Sequence, residues 1–158
     1  MRLVKSILML SGLLFSGYLF AQDNTTPAVP FLNIPIDARA AGMGDTGVAT
    51  HADVNSARWN PAKLVWLGNS AEFGIVYTPY LANIADDVSL LGANYAQRIN
   101  DVSALAVGLT YFGLGEVEFR QTIDEPAQIV KPNELALDFA FGLQLNDQLS
   151  AGAGLRFI

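Results

Sequence analysis

The chain has 158 residues, 51% of them hydrophobic and only 15% charged, with a mean hydropathy of +0.31. Fifteen acidic residues outnumber nine basic ones and there is no cysteine. That balance argues against nucleic acid as a partner, which needs a basic face, and excludes disulfides, thiol nucleophiles and a lipid-attachment cysteine.

In spite of the high hydropathy, no run of about 20 apolar residues could cross a bilayer as a helix. The nearest is Ile7 to Phe20, interrupted by Ser11, Gly12, Ser16 and Gly17, preceded by Arg2 and Lys5 and followed by Ala21. This pattern predicts a secretory leader over 1–21, cleaved before Gln22; its shortness argues against the alternative of a retained anchor. Without Arg2 and Lys5 the chain keeps 7 basic and 15 acidic residues, a formal charge of −8. Residues 22–69 then form a lead-in and an irregular segment. Gln22 to Pro30 is polar and carries Pro27 and Pro30. Phe31 to Asn69 is rich in Gly, Ala and Asn, has no sustained period, and predicts one short helical turn near Pro61 to Val65.

Over 70–158 the period becomes two. Phe73, Ile75 and Tyr77 share a face; Leu91, Ala93 and Tyr95 oppose Gly92, Asn94 and Arg98. Leu105, Val107, Leu109 and Tyr111 alternate with Ala104, Ala106, Gly108 and Thr110. The clearest run sets Leu135, Leu137, Phe139, Phe141, Leu143 and Leu145 against Glu134, Ala136, Asp138, Ala140, Gly142 and Gln144. The last sets Leu149, Ala151, Ala153, Leu155 and Phe157 against Ser150, Gly152, Gly154 and Arg156. A soluble sandwich also alternates, but its second face should carry Lys, Glu and Thr. Here that face is mostly Ala, Gly, Ser, Asn and Gln, as in a crowded barrel interior, and runs of about ten residues suit tilted membrane strands.

The connections agree. Asn100-Asp101 and Asn146-Asp147 predict tight turns, whereas Thr78 to Asp87 and Thr122 to Asn133 are longer. Tyr111 and Phe157 each follow the aspartate of their turn by ten residues, a rise of roughly 23 Å at a 45° tilt, which puts both at a membrane interface. A 46-residue offset relates the two hairpins, pairing Gly108 with Gly154 and Tyr95 with Phe141. Glu116 to Gln121 keeps the odd phase and is read as an extension of the preceding strand. The expectation is an all-β, antiparallel transmembrane β-barrel, here an incomplete N-terminal part of about five strands after an irregular hatch. Single-chain barrels need at least eight strands.

Gly42, Gly44 and Gly47 satisfy G-x-G-x-x-G, the dinucleotide fingerprint. They lack the preceding strand and the acidic residue about 20 positions on, where Leu67 stands. Their structural reading is tight turning and close packing against the wall. Asp53 and Asn55 begin like a calcium loop that Ala57 and a missing glycine spoil; Asp53 better suits a helix cap or a partner for Arg39 or Arg58. His51 is the only histidine, and Asp86-Asp87 reads as a solvated loop. No residue set forms a catalytic constellation, so the chain is expected not to be an enzyme, and no cofactor or metal is expected.

Asp37-Ala38-Arg39, Gly42-Met43-Gly44-Asp45 with Gly47, Asn55-Ser56 and Trp59-Asn60-Pro61-Ala62-Lys63 together carry a resemblance, with Pro61 suited to open a short helix and Asn60 to cap it. The segment resembles the hatch shared by FadL-type barrels and the PorV/PorQ proteins. The Trp59 to Lys63 form and the Tyr77-Thr78-Pro79 strand exit favour PorV/PorQ; the likeness extends from Phe31 to Ile158. It implies a FadL-like barrel in the outer membrane whose hatch holds Trp59 and Pro61 buried in the lumen. The implied partners are outer-membrane lipid, type IX secretion components and the C-terminal signal domains of cargo. The implied function is shuttling that cargo to surface attachment machinery. A FadL-like channel for hydrophobic small molecules and a structural PorQ-like subunit are the alternatives.

Overall fold

The computed structural model describes residues 29–80, 87–120 and 127–158. The predicted leader, the lead-in up to Ala28 and Asp86 lie outside the described residues. Alternation of side chains produces five long strands: β1 (Ala71–Pro79), β2 (Ser89–Asn100), β3 (Ser103–Gly113), β6 (Asn133–Asn146) and β7 (Leu149–Phe157), with two short ones, β4 (Val117–Phe119) and β5 (Gln128–Val130), between β3 and β6. The long strands pair antiparallel in the order β1-β2-β3-β6-β7. The result is an all-β, barrel-like wall that does not close on itself among the described residues.

Register aligns the odd residues into continuous rows. Phe73, Tyr95, Val107, Phe139 and Leu155 form one row across the sheet, and Tyr77, Leu91, Tyr111 and Leu135 another. Phe157 pairs with Leu137, one row from Tyr111 along β6, and its ring meets Phe139 edge-on at 6.3 Å. This face is apolar and uncovered: Phe73 is 67% exposed, Leu155 68%, and every odd residue of β6 from Leu135 to Leu145 is exposed. So large a contiguous apolar surface is foreign to a water-soluble monomer and is what a lipid-facing sheet presents.

On β2, β3 and β6 the buried positions lie on the even face, Ser103 at the start of β3 excepted. Ala96, Ala104, Ala106 and Ala140 pack with Leu64, Val65 and Leu67 of the preceding segment. At one end Phe112 stacks on Phe31 at 6.3 Å and takes Tyr80 edge-on at 5.9 Å. Among the described residues no helix is long and apolar enough to cross a membrane.

The two predicted tight turns share one chemistry. Asn100 Oδ1 accepts from the Val102 amide at 3.0 Å and the Ser103 hydroxyl at 2.9 Å. Asn146 Oδ1 accepts from the Gln148 and Leu149 amides at 2.9 and 2.8 Å. Register shifts fall between Arg98 and Asn100 and between Gln144 and Asn146, at the same place in each hairpin.

One expectation is corrected. Glu116 to Gln121 does not prolong β3, which ends at Gly113. The chain breaks at Leu114 to Glu116, where Gly115 takes φ +78°, a conformation glycine adopts without strain. It then starts a separate hairpin in which β4 pairs with β5, Val117 opposite Val130. Ion pairs Lys131–Glu116 at 2.6 Å and Arg120–Glu118 at 3.1 Å lie along this hairpin.

The outward face generates a direct test. Single cysteines replacing Val107, Leu137 or Phe139 should react with a lipid-phase maleimide and resist a water-soluble one in the membrane-inserted protein. Efficient aqueous labelling at all three would rule out a lipid-facing odd face.

Candidate functional site

The segment before β1 is held by short-range polar bonds instead of periodic packing. The Asp37 carboxylate accepts from the Ala40 amide at 2.7 Å and caps α1 (Ala38–Gly42). Gly44 and Asp45 then take φ +72° and +64°, reversing the chain in the left-handed region that glycine and, less readily, aspartate accept. Arg39 Nη1 meets Asp53 Oδ2 at 3.0 Å. Asp53 Oδ1 also accepts from the Asn55 amide at 3.0 Å and the Ser56 hydroxyl at 3.1 Å, so this carboxylate is fully engaged in leading into α2 (Ser56–Trp59).

Asn60 is extended, as a residue before proline should be. Its Oδ1 accepts from the Ala62 amide at 3.1 Å and caps a 3-10 turn over Pro61–Trp66. Pro61 opens this turn where a missing N–H costs nothing. Further 3-10 geometry covers Pro30–Asn33. Only the Pro61 turn was foreseen.

Two cations stitch these turns together. Lys63, 8% exposed, donates from Nζ to the Gly47 carbonyl at 2.7 Å and to Thr50 Oγ1 at 3.0 Å. Burial lowers its pKa below the usual lysine value, with Asp53 opposing that effect. The folded chain thus binds fewer protons than the unfolded one just below the ordinary lysine pKa, and stability rises with pH through that interval. Arg58 Nη2 donates to the Leu32 carbonyl and, at 3.0 Å, to that of Ile34. Its guanidinium lies 5.5 Å from the centre of the Trp59 ring, within cation–π range.

The segment sits on the even face of the wall at separations that exclude side chains. A Cβ on Gly152 would stand 2.3 Å from the Ala62 nitrogen, and one on Gly142 2.7 Å from the Pro61 carbonyl oxygen. Similarly placed Cβ atoms on Gly92 and Gly74 would strike Ile36 and Val54. Polar contacts complete the seating: Asn94 Nδ2 donates to Asn55 Oδ1 at 2.8 Å, and Trp66 Nε1 to Ser150 Oγ at 3.2 Å.

The residues singled out from the sequence divide accordingly. Asp37, Arg39, Asp45, Asn55, Asn60 and Pro61 lie in the turns and contacts just described. Gly47 is buried under Trp59, where a Cβ would come within 2.3 Å of the ring, so it packs on the tryptophan and not on the wall. Gly42 closes α1 with open space around it. Gly42 ends a helix and the next helix begins only at Ser56, unlike the strand–turn–helix setting of a dinucleotide site. Trp59 and Pro61 are half-buried, less enclosed than expected. Sequence reasoning named Arg58 only as a possible partner of Asp53 and Lys63 only as part of the Trp59 to Lys63 motif. It did not foresee their bonds to backbone carbonyls or the role of the wall glycines. A signal was available for the last, since Gly142 and Gly152 fall on the face opposite the apolar one. Among the described residues no three His, Asp or Glu side chains gather as metal ligands.

Seating of the segment depends on the missing side chains. Gly152→Ala should cost about 1–3 kcal/mol as an overpacking change and render residues 31–69 protease-sensitive in the intact protein. Gly68→Ala, with open space around it, should change neither. Equal protease resistance in both variants would contradict docking through Gly152. Trp59→Ala should cost about 2 kcal/mol in a denaturant titration, below the cost for a fully buried ring.

No curated protein matches the chain significantly. A family model described as "Type IX secretion system protein PorV" matches residues 20–158, a span that holds the segment, its turns and the seven strands found among the described residues. The chain therefore belongs to the PorV family of the type IX secretion system.

Proposed function

We propose that this protein is an outer-membrane barrel component that binds exported cargo through its C-terminal signal domain and passes it to the surface attachment machinery. The observation that carries the reading is the PorV family match across 20–158. The uncovered apolar rows of the wall support a position in lipid, with the leader over 1–21 directing export and the hatch occupying the lumen side. The action is recognition without a chemical step. Consistent with this, Asp53, Arg39 and Lys63 are occupied in holding the segment's own turns. Cargo contacts are assigned to rim connections such as the β4–β5 hairpin. Its charged pairs would steer encounter and make binding salt-sensitive.

Pull-down of the full-length protein with cargo signal domains is the direct measurement, alongside a gene deletion. The expected outcome is cargo capture, and secreted cargo left retained or unattached in the deletion while hydrophobic-substrate uptake stays normal. No cargo capture together with lost uptake would assign the barrel to small-molecule transport. Normal uptake without cargo capture would point to a structural subunit.

A further inference from the structure

The outward side of the wall changes character where β3 ends. Leu91, Tyr111 and Leu135 lie side by side across β2, β3 and β6, and the next row toward the rim is Ser89, Gly113 and Asn133. The Tyr111 ring leans along its own strand toward that row: a Cβ on Gly113 would lie 3.5 Å from its Cε1 and 3.9 Å from its hydroxyl. Beside the ring a cleft of about 260 Å³ opens, walled by Asp87, Gly115, Glu116 and Lys131. β3 has a paired strand on each side, so the cleft is framed by the middle of the sheet. Asp87, Glu116 and Lys131 are the charged residues that line it among the described residues.

These three are tied together. Asp87 Oδ2 accepts from the Glu116 amide at 2.5 Å, and a Cβ on Gly115 would come within 2.5 Å of Asp87 Oδ1, so only glycine lets the chain close on this carboxylate. Lys131 Nζ meets Glu116 Oε1 at 2.6 Å. That hydrogen bond, then the charge of Glu116 and last that of Asp87, raise the Lys131 pKa against a small opposing desolvation, and the group stays an ammonium at neutral pH. An ammonium has three N–H donors and a carboxylate about four lone pairs, so these bonds exhaust neither sign. Both signs thus stand on the lipid side of the wall, roughly 23 Å above the tight turns, at the height of lipid headgroups.

We propose that this cleft binds the headgroup of a zwitterionic phospholipid with a primary ammonium, the chemistry of phosphatidylethanolamine. The phosphate meets Lys131, the ammonium meets Asp87 and Glu116, and the acyl chains run down the apolar rows from Leu91, Tyr111 and Leu135. Two carboxylates against one ammonium disfavour a headgroup of net negative charge. They favour one that brings its own N–H donors, because charge-assisted hydrogen bonds are the strong ones; the quaternary ammonium of phosphatidylcholine has none to give. Such a site presupposes the position in lipid proposed above and is independent of cargo binding.

Full-length protein stripped of lipid in detergent would be offered equal amounts of phosphatidylethanolamine, phosphatidylcholine and phosphatidylglycerol with identical chains, and bound lipid counted by native mass spectrometry. One phosphatidylethanolamine per protein is expected, retained about fivefold or more over either competitor, as one charge-assisted hydrogen bond supplies. Asp87→Asn combined with Glu116→Gln keeps both side-chain shapes and should bring phosphatidylethanolamine to parity with phosphatidylcholine. Lys131→Gln should weaken both zwitterionic lipids and Lys131→Arg should not. Equal retention of the three lipids, preference for phosphatidylglycerol, or a preference that the double variant leaves intact would overturn the proposal. Displacement by soluble O-phosphoethanolamine at equal concentration would overturn a lipid as its source. Lost discrimination with a cysteine at position 137 still shielded from aqueous maleimide would remove the site and leave the membrane position standing.

Discussion

The close approach of one stretch of backbone to another governs this structure. Residues around Pro61 and Ala62 lie so near β6 and β7 that the wall can offer hydrogen and little else at Gly142 and Gly152. Glycine within a strand is normally a weakness, since it has more freedom to lose and nothing to pack. Here the segment supplies the packing that the glycines lack, and Leu64, Val65 and Leu67 lie over the wall alanines. The same economy explains the outward face. With the inner positions restricted to small residues, the bulk of the sheet's apolar volume has to stand on the odd rows.

Polar bonds in the segment act at the points where apolar packing is thin. Lys63 and Arg58 each reach back more than a dozen residues to main-chain or hydroxyl oxygens. A buried ammonium without a carboxylate in contact carries a desolvation cost, and the lowered pKa of Lys63 registers it. What is gained is placement, because a single Nζ fixes both ends of the Gly47 to Thr50 turn.

Much of the wall was legible from residue order. Period two places a side chain on one face or the other regardless of its distant partners, so the five long strands, their inward and outward sets and the Asn100 and Asn146 turns could be read directly. The β4–β5 hairpin could not, because Gly113, Gly115, Val117 and Phe119 keep the same parity across the break, and alternation does not respond to one positive φ. The segment's helices escaped for a different reason: at four or five residues, α1 and α2 are too short to show a period. The Asn60-Pro61 start was visible only because it is chemical and local. Arg58 was visible in sequence only as an alternative partner for Asp53, which Arg39 takes instead; its own partners Leu32 and Ile34 use carbonyls, which every residue has. Asp138 and Arg156 were placed by alternation on the inward faces of their strands. That they are neighbours follows only from the β6–β7 register.

The hydrogen bond from Trp66 to Ser150 joins positions 84 residues apart, and the segment precedes the strands that receive it. Residues 31–69 therefore leave the ribosome ahead of β6 and β7, and in a chain proposed to fold only after export Leu64, Val65 and Leu67 stay uncovered until the wall forms. Contacts of such long range form late, after the entropy of closing the intervening loop has been met. During that interval the early part of the chain is a sticky, unfinished surface of the kind that invites aggregation or chaperone capture. Assembly of this protein is thus a question of timing: the piece made first is the last to find its place.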